Sequence, residues 1–189
     1  MIKLIVGLGN PDQQYEKNRH NVGFLFLERL VLDYGGSWAK ESRFQGWLAS
    51  CHIGSNKVLL LKPNTFMNLS GQAVGKIARY YKLEPEEILV VHDELDFFTG
   101  VVKLKKGGGH AGHNGLRDII AHLSSKDFFR LRVGIDRPKA GKPVADYVLS
   151  NPSKTDMVLI EDGFARAETV LSRMVAGDSA TAMNELHSD

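Results

Sequence analysis

The sequence lacks several things, and each absence removes a class of protein. It holds one cysteine, Cys51, in 189 residues, so an internal disulfide cannot form and a reducing, cytoplasmic setting is expected. No apolar run is long enough to cross a bilayer as a helix. Met1 to Val6 lacks a basic leader followed by a long apolar stretch, and reads as a first strand, not a signal peptide. There is no internal repeat, no low-complexity segment, no Walker-type phosphate loop and no Gly-x-Ser-x-Gly elbow. Charge of one sign is also missing overall, with a formal net charge of +2.

What is present is an ordinary globular balance, 43% hydrophobic and 24% charged, at a length that fits one domain spanning 1–189. The charge is unevenly spread. Val101 to Lys142 carries ten Lys/Arg against three Asp/Glu, and the remainder is net acidic. Such a local basic field is either a solvated face or a contact for a few phosphates.

Periodicity gives alternating strands and helices. Strands are expected at Ile2–Leu8, Arg43–Ile53, Lys57–Lys62, Ile88–Val91, Val101–Lys105 and Phe128–Ile135. Helices are expected at Val22–Tyr34, with Asn21 as cap, from Ser70 to about Lys82, with Ser70 as cap, and at Asn114–Leu123. A last helix, about Thr155–Val175, opens on Ser153 and Asp156. Asp136–Asn151 holds Pro138, Gly141 and Pro143 and reads as a loop or mobile flap. Gly54-Ser55-Asn56 makes a hairpin turn, so the class is α/β, a single-domain mixed β-sheet flanked by helices on both faces.

In such sheets ligands gather at the carboxyl ends of strands. Asn10 and Asp93 both lie at such ends, which places them in one crevice. His20 sits on a loop between Pro11 and the first helix. With an ordinary pKa of about 6.5 it can serve as a general base, or it can simply cap the helix entrance. Asp93 can orient a histidine or cap a turn, and Glu94 and Asp96 can be the functional acid instead or solvated loop charges. Asn10, Asn68 and Asn114 each suit turns or caps, but three amides beside a His and an Asp favour substrate binding and oxyanion stabilisation.

His92, Asp93, His110 and His113 form an alternative, zinc-like set, although His110-x-x-His113 lies in a glycine-rich loop with no helix to fix it. Gly7-x-Gly9 is an incomplete dinucleotide fingerprint, because its third glycine is missing. Cys51 and His52 are adjacent on a strand and point to opposite faces, which excludes a thiol–imidazole pair. With no protein nucleophile in evidence, water becomes the attacking group. A non-catalytic RNA-binding module built on the basic region is the other class to weigh.

Gly-Leu-Gly-Asn-Pro at 7–11, Tyr15, Arg19-His20-Asn21, Lys62-Pro63-Asn64-Thr65-Phe66-Met67-Asn68-Leu69-Ser70-Gly71, His92-Asp93-Glu94-Leu95-Asp96 and the glycine-rich run 107–115 together closely resemble bacterial peptidyl-tRNA hydrolase. The likeness runs in order through nearly the whole chain. It implies a monomeric esterase, without metal or other cofactor, that frees tRNA from the peptidyl-tRNA of abandoned translation. It further implies His20 as general base, Asp93 as its orienter, and Asn10 as the residue that distinguishes acylated from free amino groups. Asn68 and Asn114 would bind substrate and position water, Tyr15 and Phe66 would contact the substrate's terminal portion, and Met67 would line the peptide side. Lys103, Lys105 and Arg132 would clamp phosphate, and 136–151 would be a mobile lid. No membrane and no obligate protein partner are implied. Asp12, where the family usually has glycine, and Phe97-Phe98-Thr99, in place of a proline-rich turn, depart from the pattern next to the site.

Overall fold

The structure, a computed structural model, describes residues 1–188. Seven strands form one mixed sheet: β1 (Leu4–Gly7), β2 (Ala39–Glu41), β3 (Gly46–Ile53), β4 (Asn56–Pro63), β5 (Ile88–Glu94), β6 (Val102–Lys106) and β7 (Phe129–Gly134). Their spatial order is β2-β3-β4-β1-β5-β7-β6. The centre is parallel, with β1 between β4 and β5, and β5 beside β7. The hairpin β3–β4 and the β6–β7 pair are antiparallel. β1 is buried along its whole length, as expected of a central parallel strand covered on both faces. The α/β class and mixed sheet expected from the sequence are those observed.

Six helices cover the sheet: α1 (Val22–Tyr34), α2 (Ser70–Tyr81), α3 (Asn114–Leu123), α4 (Val144–Val148), α5 (Lys154–Ala176) and α6 (Ser179–His187). The alternation of strand side chains splits the core in two. Ile5, Leu89, Val91, Leu104, Leu131 and Val133 pack with α1, α5 and α6. Leu4, Val6, Val90 and Leu61 pack with α2 and α3 on the other face. No helix among the described residues is long and apolar enough to cross a membrane.

Several local expectations need correction. Asn21 precedes α1, but its side chain makes no cap bond; the amide holds the backbone of Asn10 instead. Ser70 is the first residue of α2, and its hydroxyl donates to the Met67 carbonyl 2.7 Å away. Arg43–Ile53 does not start as a strand: Ser42–Phe44 is a 3-10 turn, and β3 begins at Gly46 after Gln45 adopts a left-handed conformation. The 136–151 segment contains α4. By contrast Ser153 caps α5 as expected, accepting from the Asp156 N–H.

One close approach seats the site. A Cβ on Gly7 would lie 2.3 Å from the Gly23 carbonyl oxygen, and one on Gly23 would lie 2.4 Å from that of Val91. Only glycine at both positions lets the start of α1 lie directly on the carboxyl ends of β1 and β5. The turn just ahead of α1, Arg19–Asn21, is thereby held beside the end of β5.

Candidate active site

β5 carries Asp93 to the floor of a cleft of about 540 Å³. His20 Nδ1 lies 2.9 Å from Asp93 Oδ2, and His113 Nε2 lies 2.8 Å from Oδ1. Asp93 is 3% exposed by side chain, so two imidazoles saturate a carboxylate that water hardly reaches. Burial pushes the Asp93 carboxyl up, but the His20 and His113 rings outweigh it and hold the group well below the usual carboxylate range. An ionised Asp93 offers only acceptors, so both facing ring nitrogens carry the hydrogen. His20 is thereby left with a bare Nε2. Burial pulls the His20 pKa down, while the charge of Asp93 and its hydrogen bond pull it up; the net effect is a rise above 6.5.

His113 is fixed from its other side. Its Nδ1 accepts from the backbone N–H of Gly115 at 3.2 Å and Leu116 at 3.3 Å, capping α3. This locks the ring as the Nε2–H tautomer, a permanent donor to Asp93. Reading the sequence did not give His113 this role. The zinc-like grouping that included it is dispersed: His92 Nδ1 donates to the Asp93 backbone carbonyl at 2.8 Å, and His110 Nδ1 accepts from the Gly112 N–H. Ligand atoms of His20, Asp93 and His113 do lie within 4.8 Å of one another, where both rings are hydrogen-bonded to the Asp93 carboxylate.

The amides are held as firmly. Asn21 bonds both the N–H and the carbonyl of Asn10, at 2.8 and 2.9 Å. Asn10 Oδ1 accepts from the Met67 N–H at 2.8 Å, so the side chain offers the cleft its Nδ2 donors. Asn68, Asn114, Phe66 and Met67 line the same cleft, as do Lys105 and Arg132. Tyr15 and Lys103 are not among its lining residues. Cys51 is buried and His52 exposed, as strand alternation requires.

Cross-strand register places Lys103 opposite Arg132 and Lys105 opposite Arg130, on one face of β6 and β7. Facing like charges destabilise a sheet unless they find partners. Arg130 is buried and donates to the Gly108 and Gly109 carbonyls, which shapes the glycine loop. Arg132 has Glu94 3.9 Å away and lies over the Phe97 ring. Glu94 is thus a partner of Arg132, and Asp96 pairs with Arg137 at 3.0 Å from Nε.

Comparison with known proteins decides the family. Residues 4–189 match the family model described as peptidyl-tRNA hydrolase. The chain belongs to the peptidyl-tRNA hydrolase family. It is 52% identical over 187 residues to the peptidyl-tRNA hydrolase of Coxiella burnetii, covering 99% of this chain and 98% of that one. It is 47% identical over 188 residues to that of Dichelobacter nodosus, covering all of both. The crystal structure of peptidyl-tRNA hydrolase from Acinetobacter baumannii superposes with a TM-score of 0.95 at 42% identity, covering 99% of this chain and 95% of that one. By family the chain is a hydrolase acting on ester bonds.

His92 supplies a prediction about stability. Burial first, then the neighbouring His113, lowers its pKa to about 3. Its Nε2 is buried without a partner among the described residues. Between pH 6.5 and 3 the unfolded chain therefore binds a proton there that the folded chain refuses, and stability falls as the pH falls. Replacing His92 with asparagine, which does not titrate, should make unfolding less acid-sensitive. On going from pH 7 to 4.5 the parent should lose about 2–3 kcal/mol more than the variant, read from urea midpoints.

Proposed function

We propose that this chain cleaves the ester between an N-acylated aminoacyl group and tRNA, with His20 as general base and Asp93 as its orienter. The observation that carries the reading is the 2.9 Å contact between His20 and Asp93 in a cleft lined by Asn10, Asn68 and Asn114. The names of the relatives support the substrate. The ordered protonation of the three rings supports the mechanism.

His20 Nε2 takes a proton from water as the water oxygen attacks the ester carbonyl. Asp93 faces the growing imidazolium charge and stabilises it. The amides of Asn68 and Asn114 donate to the oxyanion, and losing one such donor typically costs roughly 2.7–4 kcal/mol. On collapse, the carbonyl–ribose oxygen bond breaks, the His20 proton passes to the departing ribose oxygen, and the peptide acid formed loses its proton to solvent. The products are a free peptide carboxylate and tRNA. Phe66 and Met67 contact the end of the substrate, and Tyr15 does so from outside the cleft. Lys103, Lys105 and Arg132 meet backbone phosphate along the basic face. The enzyme works as a cytoplasmic monomer, without cofactor.

Choice of the acylated substrate follows from Asn10. With Oδ1 taken by Met67, Asn10 presents donors to the cleft. An acyl carbonyl can accept from them. A free α-ammonium is itself a donor, finds no partner there, and must shed its water at a cost of several kcal/mol. The test is turnover of N-acetylaminoacyl-tRNA against free aminoacyl-tRNA. Preference for the acetylated substrate by roughly a hundredfold or more is expected. Asn10→Asp, which puts an acceptor in place of the donors, should narrow that ratio at least tenfold. An unchanged ratio would refute the donor argument, and tRNA binding with no cleavage in the parent protein would refute the hydrolase reading.

A further inference from the structure

Arg19 stands one residue before His20 and is not among the residues lining the cleft, yet its guanidinium is bound across the fold to residues 131 to 137 positions away. Its Nη1 donates to Ser150 Oγ at 2.7 Å, to the Asn151 carbonyl at 3.0 Å and to the Ser150 carbonyl at 3.3 Å. Its Nη2 reaches Asp156 Oδ2 at 3.4 Å, in the first turn of α5. Its own backbone N–H donates to the Ser150 carbonyl as well. The guanidinium lies 4.3 Å from the centre of the Tyr147 ring. Only 12% of its side chain is exposed.

Apart from Asp156, these partners belong to the far end of the 136–151 segment. Tyr147, in α4, donates through its hydroxyl to the Ile135 carbonyl at the near end, and Ser150 Oγ donates to the Tyr147 carbonyl. Both ends of the segment thus converge on the tyrosine that Arg19 covers. Between them Val144, Val148 and Leu149 wall the cleft. We propose that Arg19 is a positioning residue, which ties His20 to this segment so that the base is aligned with Asp93 only when the segment is seated against the cleft. The inference rests on His20 being the base. Planar, forked donation to several acceptors is a geometry lysine cannot reproduce.

The physical consequence is a separation of rate from affinity. Arg19 is not among the residues lining the cleft, so its loss should leave binding intact, while a base displaced by even an ångström from its attacking position loses much of its rate. Steady-state turnover of N-acetylaminoacyl-tRNA by Arg19→Met should show kcat lowered at least tenfold with KM within twofold of the parent. Tyr147→Phe keeps the ring and releases Ile135, and should lower kcat as well. The double variant should be no slower than the slower single one, because both cut the same connection.

A parental kcat in Arg19→Met, a loss carried by KM, or single losses that multiply in the double variant would each overturn the proposal. Should Arg19→Met not fold, the imidazole resonances of His20 in Tyr147→Phe decide the matter: a shifted titration supports the connection, and a parental one overturns it. His20→Ala runs in parallel. If it retains parental turnover, the base assignment itself fails; if it is inactive while Arg19→Met is at the parental rate, only the positioning role fails.

Discussion

His20→Ala should lower kcat/KM for N-acetylaminoacyl-tRNA by about 10²–10⁴, the range expected for loss of a general base. KM should change little, because the amides and the basic face proposed to hold the substrate remain. The pH profile gives a sharper reading. A general base must be neutral to accept a proton, and the His20 pKa is raised because the Asp93 charge and hydrogen bond outweigh burial. The parent's rate should therefore climb with pH along a limb whose midpoint lies above 6.5, and then level off. In His20→Ala that limb should vanish, leaving the slow dependence of uncatalysed attack by hydroxide. A variant that keeps both the rate and the limb would remove His20 from the chemistry.

Asp93→Asn should be nearly as damaging, for a reason that lies in His113. The α3 backbone occupies His113 Nδ1, so this ring can only donate through Nε2. An asparagine at 93 must turn its one carbonyl oxygen to His113 and its amide N–H toward His20. His20 Nδ1 can then only accept, which moves the ring hydrogen to Nε2. The base now carries a proton where it needs a lone pair. A tautomer error of this kind costs about 10⁴ in kcat in a Ser-His-Asp triad, and a loss of about 10³ or more is expected here. Imidazole nitrogen shifts would show His20 changing from the Nδ1–H to the Nε2–H form. A loss under tenfold, or an unchanged tautomer, would refute the argument.

The sequence carried much of this, unevenly. Helices α1 and α3 and the β3–β4 hairpin were legible because apolar spacing and turn residues agreed there. β2 escaped because three half-exposed residues make no pattern, and α4 because the prolines and glycine around it speak for a loop. α6, nine residues beyond Gly177, has only two fully buried side chains to mark it. In the site, Asp93 and Asn10 could be singled out as candidates by residue type and by their place after strands, and His20 by the acid and amides that accompany it. Two roles could not. Asn21 looked like a cap, and only the folded turn shows its amide closing on Asn10. His113 looked like a metal ligand, because nothing linear reveals which ring nitrogen the α3 N–H groups take. The His-Asn-Gly sequence at the start of α3 was the available sign, since a side chain that accepts hydrogen bonds is what a helix start requires.

Gly7 and Gly23 have a consequence for anyone scanning variants of this chain for loss of activity. Neither is a side chain that could meet a ligand, yet a single added methyl at either would wedge α1 away from β1 and β5 and carry residue 20 off residue 93. A saturation screen should therefore score these two positions as intolerant as the reacting residues themselves. Purified material would tell the cases apart, since a wedged variant misplaces a whole helix while a disarmed one keeps its shape.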